Sequence, residues 1–188
     1  MTAFARPRLA VALAVVAALA LAGCASSAAT TGASVPAISV PTVSLAPTGS
    51  AREVTFTTLL TSKDKRVAVV GPDDQIAYGW NDLFGTTTFE GKPATVELKA
   101  GIWYVNGAGP FSGFITITLE DGASLAMNMV GEASVDPTTK ATSFAAALTV
   151  IGGTGPYTNS SGAGSWTGSR EGAIGGAVKF DGTLSLTS

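Results

Sequence analysis

The chain contains no histidine, and among its 188 residues Cys24 is the one cysteine. Without histidine there is no Ser-His-Asp triad, no Cys-His pair and no His/Cys metal site, and one cysteine forms no disulfide within the chain. We therefore expect no metal and no cofactor. Charged residues make up only 13% of the chain, and Lys and Arg form no basic stripe. Nucleic acid is therefore not an expected partner.

Strong helix formers are also scarce. Leu, Glu, Lys and Gln show no 3.6-residue period beyond the N-terminus, whereas the chain has 23 glycines and many Ser and Thr. This composition favours β-structure with many turns. The length is that of a single domain.

In the N-terminal segment, Arg6 and Arg8 form a short basic start, residues 9–21 are an unbroken run of Leu, Ala and Val, and Leu21-Ala22-Gly23-Cys24 follows. With these features, residues 1–23 resemble the signal peptide of a bacterial lipoprotein. The apolar run is shorter than the roughly 20 residues of a membrane-spanning helix, and small residues before the cysteine suit cleavage. We expect acylation of Cys24, for example with palmitate, and anchoring of an extracytoplasmic protein to the cell membrane. The alternative is an ordinary secretory signal with a coincidental cysteine.

Residues 24–50 are predicted to be a flexible linker that begins with the acylated cysteine. The segment after Cys24 carries no charge and no aromatic residue, and it contains Pro36, Pro41 and Pro47. Spaced prolines favour extended chain over helix, and a segment so poor in large apolar residues cannot bury enough surface to offset its ordering entropy. The alternative is that residues 38–45 add an edge strand to the domain that follows.

Residues 51–188 show the two-residue alternation that is typical of strands. Ile115, Ile117 and Leu119, for example, alternate with polar residues, and Asp121-Gly122 then predicts a two-residue type I′ hairpin. The pattern predicts eight or nine antiparallel strands in one all-β, closed barrel, which leaves no open sheet edge. A two-sheet sandwich is the alternative.

Several Gly, Pro, Asn or Asp clusters predict breaks between these strands. One break is expected between a strand ending at Thr61 and a strand starting at Val67, and another at Asn81-Asp82. Gly182 interrupts the inward row of the last strand, where we expect a bend or a close contact.

A glycine turn organises the second half of the domain. Residues 151–157 (IGGTGPY), followed by Gly-Ala-Gly at 162–164, resemble the allene oxide cyclase/dirigent-like barrel superfamily, and residues 109–113 and 119–122 resemble its hairpin. The resemblance implies an eight-stranded antiparallel barrel with an apolar cavity, and homo-oligomers are common in that superfamily. Gly152, Gly153 and Gly155 are interpreted as turn residues, and Tyr157 as an aromatic plug of the barrel end.

The candidate ligand pocket consists of Tyr104, Met127, Met129, Trp166 and Arg170. If Trp166 points inward, Arg170 shares its face by the two-residue period and can orient an anionic ligand. An exposed or barrel-end ion pair is the alternative for Arg170. For the aromatic residues and the methionines, which soften an apolar pocket, core packing is the alternative. Tyr78 is a further candidate donor.

Two functions are compatible with these features. The first is a membrane-anchored lipoprotein whose barrel binds or presents a small apolar ligand, or serves as a non-catalytic envelope module. The second is a cyclase- or isomerase-like enzyme for an unsaturated lipid-derived substrate, with Glu53 as a buried carboxylate. The resemblance alone implies the second function, and the Asn, Ser and Pro context of the plant cyclases is missing around Glu53. The lack of nucleophiles favours the first function.

Overall fold

The computed structural model describes residues 49–187. They form one closed antiparallel barrel in which each strand pairs with its neighbours in sequence and the last strand pairs with the first. The strands are β1 (Arg52–Val70), β2 (Ile76–Phe89), β3 (Lys92–Val105), β4 (Gly109–Leu119), β5 (Ser124–Val135), β6 (Thr142–Gly153), β7 (Ser161–Arg170) and β8 (Val178–Thr187). The predicted closed barrel is confirmed with eight strands, and the sandwich alternative is wrong.

The predictions for the signal peptide, the acylated Cys24, the linker up to residue 48 and the edge strand at 38–45 lie outside the described residues. Within residues 49–187, no helix has the length and apolar character needed to cross a membrane. All eight strands pair within this part of the chain, and the core lies between them. Residues 49–187 therefore contain all eight strands and the core between them, and we call residues 49–188 the barrel segment.

Two predicted strand breaks are wrong. β1 is continuous from Arg52 to Val70, with an irregularity in its pairing with β2 between Ser62 and Asp64. β2 passes through Asn81 without interruption, because its buried side-chain oxygen accepts a hydrogen bond of 2.5 Å from the Ser62 hydroxyl. A partner on the neighbouring strand therefore satisfies a residue that otherwise favours a turn.

The two-residue hairpins lie at Glu90-Gly91 and Asn106-Gly107, where both residues have positive φ. The type I′ prediction for Asp121-Gly122 is wrong, because in this loop Gly122 alone has positive φ, at 83°. The Asp121 carboxylate instead accepts a hydrogen bond of 3.0 Å from the Ala123 amide. The result is a three-residue loop, which is the usual length when a type I turn is followed by a left-handed glycine.

Aromatic side chains fill the barrel along its axis. The ring centroids of Phe89 and Phe56 are 5.6 Å apart, those of Phe56 and Phe180 are 5.4 Å apart, and those of Phe180 and Trp166 are 4.6 Å apart. We call these four residues the aromatic column. An eight-stranded barrel is just wide enough for its side chains to fill, so the column closes the middle of the barrel to any ligand.

Gly182 makes room for this column. It pairs with Phe56 on one side and with Trp166 on the other. A Cβ atom at Gly182 would lie 2.6 Å from Cζ of Phe56 and 2.9 Å from Cε1 of Phe180. The close contact that the sequence predicted at this glycine is therefore a contact with the aromatic column.

The variant Gly182→Ala is expected to lose about 1–3 kcal/mol of unfolding free energy, because its methyl group overpacks the column. The measurement is urea unfolding of the barrel segment. Gly101→Ala is the matched control, since a Cβ at Gly101 meets no atom closer than 3.8 Å. Adding Phe56→Leu to Gly182→Ala should recover part of the loss. Equal losses at Gly182 and Gly101 would contradict the packing role.

Candidate functional site

The glycine turn closes one end of the barrel. Gly152 and Gly155 have positive φ, at 133° and 58°, as the turn requires. A Cβ at Gly153 would lie 2.6 Å from Cβ of Tyr157, so this glycine allows Tyr157 to pack closely. Tyr157 belongs to a 3₁₀ turn over Gly155–Tyr157 and is 4% exposed. The centroid of its ring lies 6.1 Å from that of Phe89. The ring therefore lies at the foot of the aromatic column.

An ion pair secures this end. The Tyr157 hydroxyl donates a hydrogen bond of 2.7 Å to Oε2 of Glu90, and Nε of Arg52 donates one of 2.6 Å to Oε1. The Arg52 guanidinium, and then the Tyr157 hydroxyl, hold the pKa of Glu90 below its ordinary value. Burial, together with the neighbouring carboxylate, raises the pKa of Tyr157. Sequence reasoning missed both partners, because residues 52, 90 and 157 share no local pattern.

A pocket lies at the opposite end, above the aromatic column. It encloses about 40 Å³ and is partly open to solvent. Roughly 10–15 Å³ of such space is enough for one water molecule, so the pocket admits a group of a few heavy atoms, and a larger guest must displace part of the wall. Apolar side chains form most of that wall, and Asn81, Tyr104 and Arg170 are its polar members. The apolar members are Leu60, Leu83, Leu98, Ala100, Ile102, Phe111, Met129, Phe144, Trp166, Ile174 and Val178.

The β7–β8 loop, residues 171–177, forms one side of the pocket through Ile174. β1 pairs with β8 only as far as Leu60, so its later residues extend beyond the start of β8. From this extension, Nζ of Lys65 donates a hydrogen bond of 2.9 Å to the Ile174 carbonyl. Gly172 and Gly175 in the loop have φ of 80° and 99°. A glycine-rich loop with few buried contacts opens at low cost, so it is the part of the wall that a guest can displace.

Four of the five predicted pocket residues line this pocket, namely Tyr104, Met129, Trp166 and Arg170. Met127 is not among the lining residues. Its completely buried side chain is the inward position just before Met129 on β5. Sequence reasoning did not include Asn81, because it treated that residue as a strand break. The alternation of Asn81 with inward Leu83 on β2 was the signal that could have identified it.

The other two candidates lie on the outer face of the barrel. Tyr78 is 62% exposed, and Glu53 is exposed next to inward Val54 on β1. The prediction of Glu53 as a buried carboxylate is wrong, because strand alternation turns its side chain away from the interior. Among residues 49–187, no Asp or Glu lines the pocket. The cyclase hypothesis therefore has no carboxylate at the site where it needs one.

Aromatic rings and a sulfur atom form the pocket floor. Nε1 of Trp166 donates a hydrogen bond of 2.9 Å to Sδ of Met129. The centroid of the Trp166 ring also lies 5.6 Å from that of Phe111 and 5.8 Å from that of Phe144. These contacts fix the indole plane, so the floor is formed before any guest enters.

Arg170 is the charged residue of the pocket wall, and it is only 6% exposed. Its Nη2 donates a hydrogen bond of 3.2 Å to the Thr142 hydroxyl, and its Cζ lies 5.4 Å from the centre of the Phe144 ring. Its Nε is buried and has no hydrogen-bond partner in the described part of the chain, where no carboxylate forms an ion pair with it. The alternative of an exposed or barrel-end ion pair is therefore wrong. Burial lowers the pKa of Arg170 from its ordinary value.

The Tyr104 hydroxyl adds a neutral polar group to the wall. Burial in the barrel raises the pKa of Tyr104 to about 12, although the positive charge of Arg170 acts to lower it. The phenol therefore keeps its proton at neutral pH and can donate a hydrogen bond. The pocket thus combines an apolar floor with a cation and a phenol on its wall.

Replacing Arg170 by methionine should leave the barrel at least as stable, with a gain of about 1 kcal/mol, because an unpaired buried charge is costly to desolvate and methionine is apolar. The measurement is urea unfolding of the barrel segment without added ligand. Arg66→Met, at an exposed position of β1, is the control and should change stability by less than about 0.5 kcal/mol. If Arg170→Met loses several kcal/mol of unfolding free energy and Arg66→Met does not, Arg170 is needed for the fold, which would contradict this prediction.

No family model and no curated protein matches this chain. Among solved structures, the chain is similar to a pterocarpan synthase dirigent protein, with 12% identity, a TM-score of 0.39, and coverage of 74% of this chain and 86% of that one. No activity and no site residue follows from that likeness. Membership of the superfamily that the glycine turn resembles stays a prediction.

Proposed function

We propose that this protein binds a small, mostly apolar molecule in the pocket and holds it at a membrane through Cys24. The observation that carries the binding proposal is the partly open apolar pocket above the aromatic column. Packing at native density leaves few voids larger than a water molecule. Trp166 and Met129 form a floor that is fixed without a guest, and the β7–β8 loop offers the way in.

The size of the pocket limits the ligand. The enclosed space of about 40 Å³ admits a group of a few heavy atoms before the wall moves. Displacement of Ile174 with its loop adds room at the rim, whereas the aromatic column blocks growth in the other direction. At about 25 cal/mol per Å², a ligand that buries some 150 Å² of apolar surface gains roughly 4 kcal/mol before binding costs are subtracted. We therefore expect weak binding, with Kd values of about 1 mM or higher for simple apolar probes.

Fluorescence of Trp166 tests the binding proposal. The chain has three tryptophans, and Trp80→Phe with Trp103→Phe on the outer face leaves Trp166 as the reporter on the floor. Small apolar probes such as toluene or cyclohexanol should change its emission saturably, because they would contact the indole. Ala100→Val is the control, since an added pair of methyl groups in the pocket wall should weaken that response at least fivefold.

Two results would contradict the proposal. The first is an emission that does not change up to the solubility limit of every probe. The second is a change that the Ala100→Val variant fully retains. In either case the function would lie on the outer surface of the barrel, as expected for an envelope module that carries no ligand.

The anchoring part of the proposal rests on the sequence of residues 1–24. The basic start, the apolar run and the single cysteine after Gly23 occur in the order that acylation requires. Acyl chains bind membranes with about 0.8 kcal/mol per buried CH₂, and two or more chains anchor stably. Without Arg6 and Arg8 the chain is mildly acidic, so its charge gives no attraction to an anionic membrane surface. The acyl chains are therefore the proposed membrane contact.

In a bacterial host, the full chain should incorporate labelled palmitate and sediment with the membrane fraction. Cys24→Ser should abolish the label, because the thiol that carries the lipid is gone. Cys24→Ser combined with Ser26→Cys keeps one thiol near the same place and serves as the control, which should also remain unlabelled. Label on either variant, or none on the wild type, would refute acylation at Cys24.

A further inference from the structure

We infer that the ligand of this pocket carries an anionic head group of the carboxylate type, which binds to the guanidinium group of Arg170. The inference rests on the proposed binding function and goes further, since it names the chemical class. The expected ligand is a short-chain monocarboxylate: a charged head at the rim with a small apolar tail against Trp166.

The first argument is the unpaired charge. Arg170 is 94% buried, given its exposed fraction of 6%, and its Nε has no hydrogen-bond partner in the described residues. An uncompensated buried charge costs several kcal/mol. One hydrogen bond to the neutral Thr142 hydroxyl and the contact with the Phe144 ring offset only part of that cost. A bound anion would supply the missing partner.

The second argument is the orientation of the guanidinium. The Phe144 ring lies beside it, and Thr142 holds Nη2 at 3.2 Å. These two contacts fix the orientation of the planar guanidinium group. Neither of them provides an acceptor for the buried Nε–H group. Arginine binds a carboxylate through two parallel N–H···O bonds, a geometry that lysine cannot provide. The residue type and its free N–H donor therefore fit a carboxylate.

The third argument is the charge of the surroundings. No carboxylate lines the pocket in the described residues. The Glu132 carboxylate acts on Tyr104 from outside the wall and raises its pKa, and Lys65 lies beside the loop at the rim. The Tyr104 phenol is a second donor in the wall. A cationic head would meet Arg170 with no carboxylate to pair with it, whereas an anionic head would meet positive charge and donors. The pocket therefore selects for negative charge.

The fourth argument is the position of Arg170 relative to the floor. Arg170 and Trp166 face inward on the same strand, and Arg170 ends that strand at the rim. A head group on Arg170 thus places its tail along β7 toward the indole. The small enclosed volume then favours a tail of a few carbons.

The test compares hexanoate with hexanamide, which have the same tail and differ in charge. Binding is measured by Trp166 emission and by calorimetry on the barrel segment of wild type and of Arg170→Met, with Arg66→Met as the charge-matched control. Wild type and Arg66→Met should bind hexanoate at least tenfold more tightly than hexanamide. In Arg170→Met the two Kd values should agree within about twofold.

Each other outcome has its own meaning. Equal binding of both probes to wild type would overturn the anionic head group and leave the proposed function standing. Binding of neither probe, nor of the neutral apolar probes, would overturn both. A preference for hexanoate that persists in Arg170→Met would overturn the role of Arg170.

A second measurement uses wild type alone, in case Arg170→Met fails to fold. In an NMR spectrum of arginine Nε–H groups, hexanoate should shift the signal of the buried Arg170 Nε–H downfield, since a charge-assisted hydrogen bond forms there. Hexanamide at the same concentration is the control and should cause a smaller shift. An unmoved Arg170 signal at saturating hexanoate would overturn the inference.

Discussion

The stacking of Phe180 on Trp166, with ring centroids 4.6 Å apart, decides which part of this barrel is solid and which part is open. An eight-stranded barrel has room for little more than its own side chains. Because Gly182 has no side chain, Phe56 can join the stack from the far side and the aromatic column can follow the barrel axis. The column ends at Trp166, and the remaining inward side chains above it leave the void unfilled. Pocket depth is thus a consequence of core packing.

The two ends of the barrel treat the same residue type in opposite ways. At the closed end, the guanidinium of Arg52 is hydrogen-bonded to Glu90, and that contact raises its pKa above the ordinary value. At the open end, Arg170 is more deeply buried, has no carboxylate partner, and burial lowers its pKa. A barrel that needed Arg170 only for its fold could have paired it in the same way as Arg52. The contrast places a buried charge without an ion-pair partner in the wall of the apolar pocket.

The sequence predicted the parts of this arrangement that depend on local periodicity. The alternation around Ile115 and Ile117 depends only on the pleat, and so does the shared face of Trp166 and Arg170. Predictions failed where a distant partner decides the outcome. Asn81 stays in its strand because Ser62 binds its side chain, and the contact of Lys65 with the β7–β8 loop joins residues 109 positions apart. Glu53 was misplaced because a resemblance, and no periodicity, had suggested it.

The depth at which Arg170 is buried also could not be predicted from the sequence, since it depends on closure of the barrel around it. Alternation places the residue on the inner face, but an inner residue at a strand end can still reach water. Here the Phe144 ring, from another strand, lies against its guanidinium, and the β7–β8 loop folds back next to its side chain at Gly176. In such surroundings a neutral acceptor satisfies a hydrogen bond, whereas an anion satisfies the hydrogen bond and the charge. Because the interaction of opposite charges strengthens as the effective dielectric constant falls, burial makes the pocket more selective for an anion over a neutral guest of the same shape.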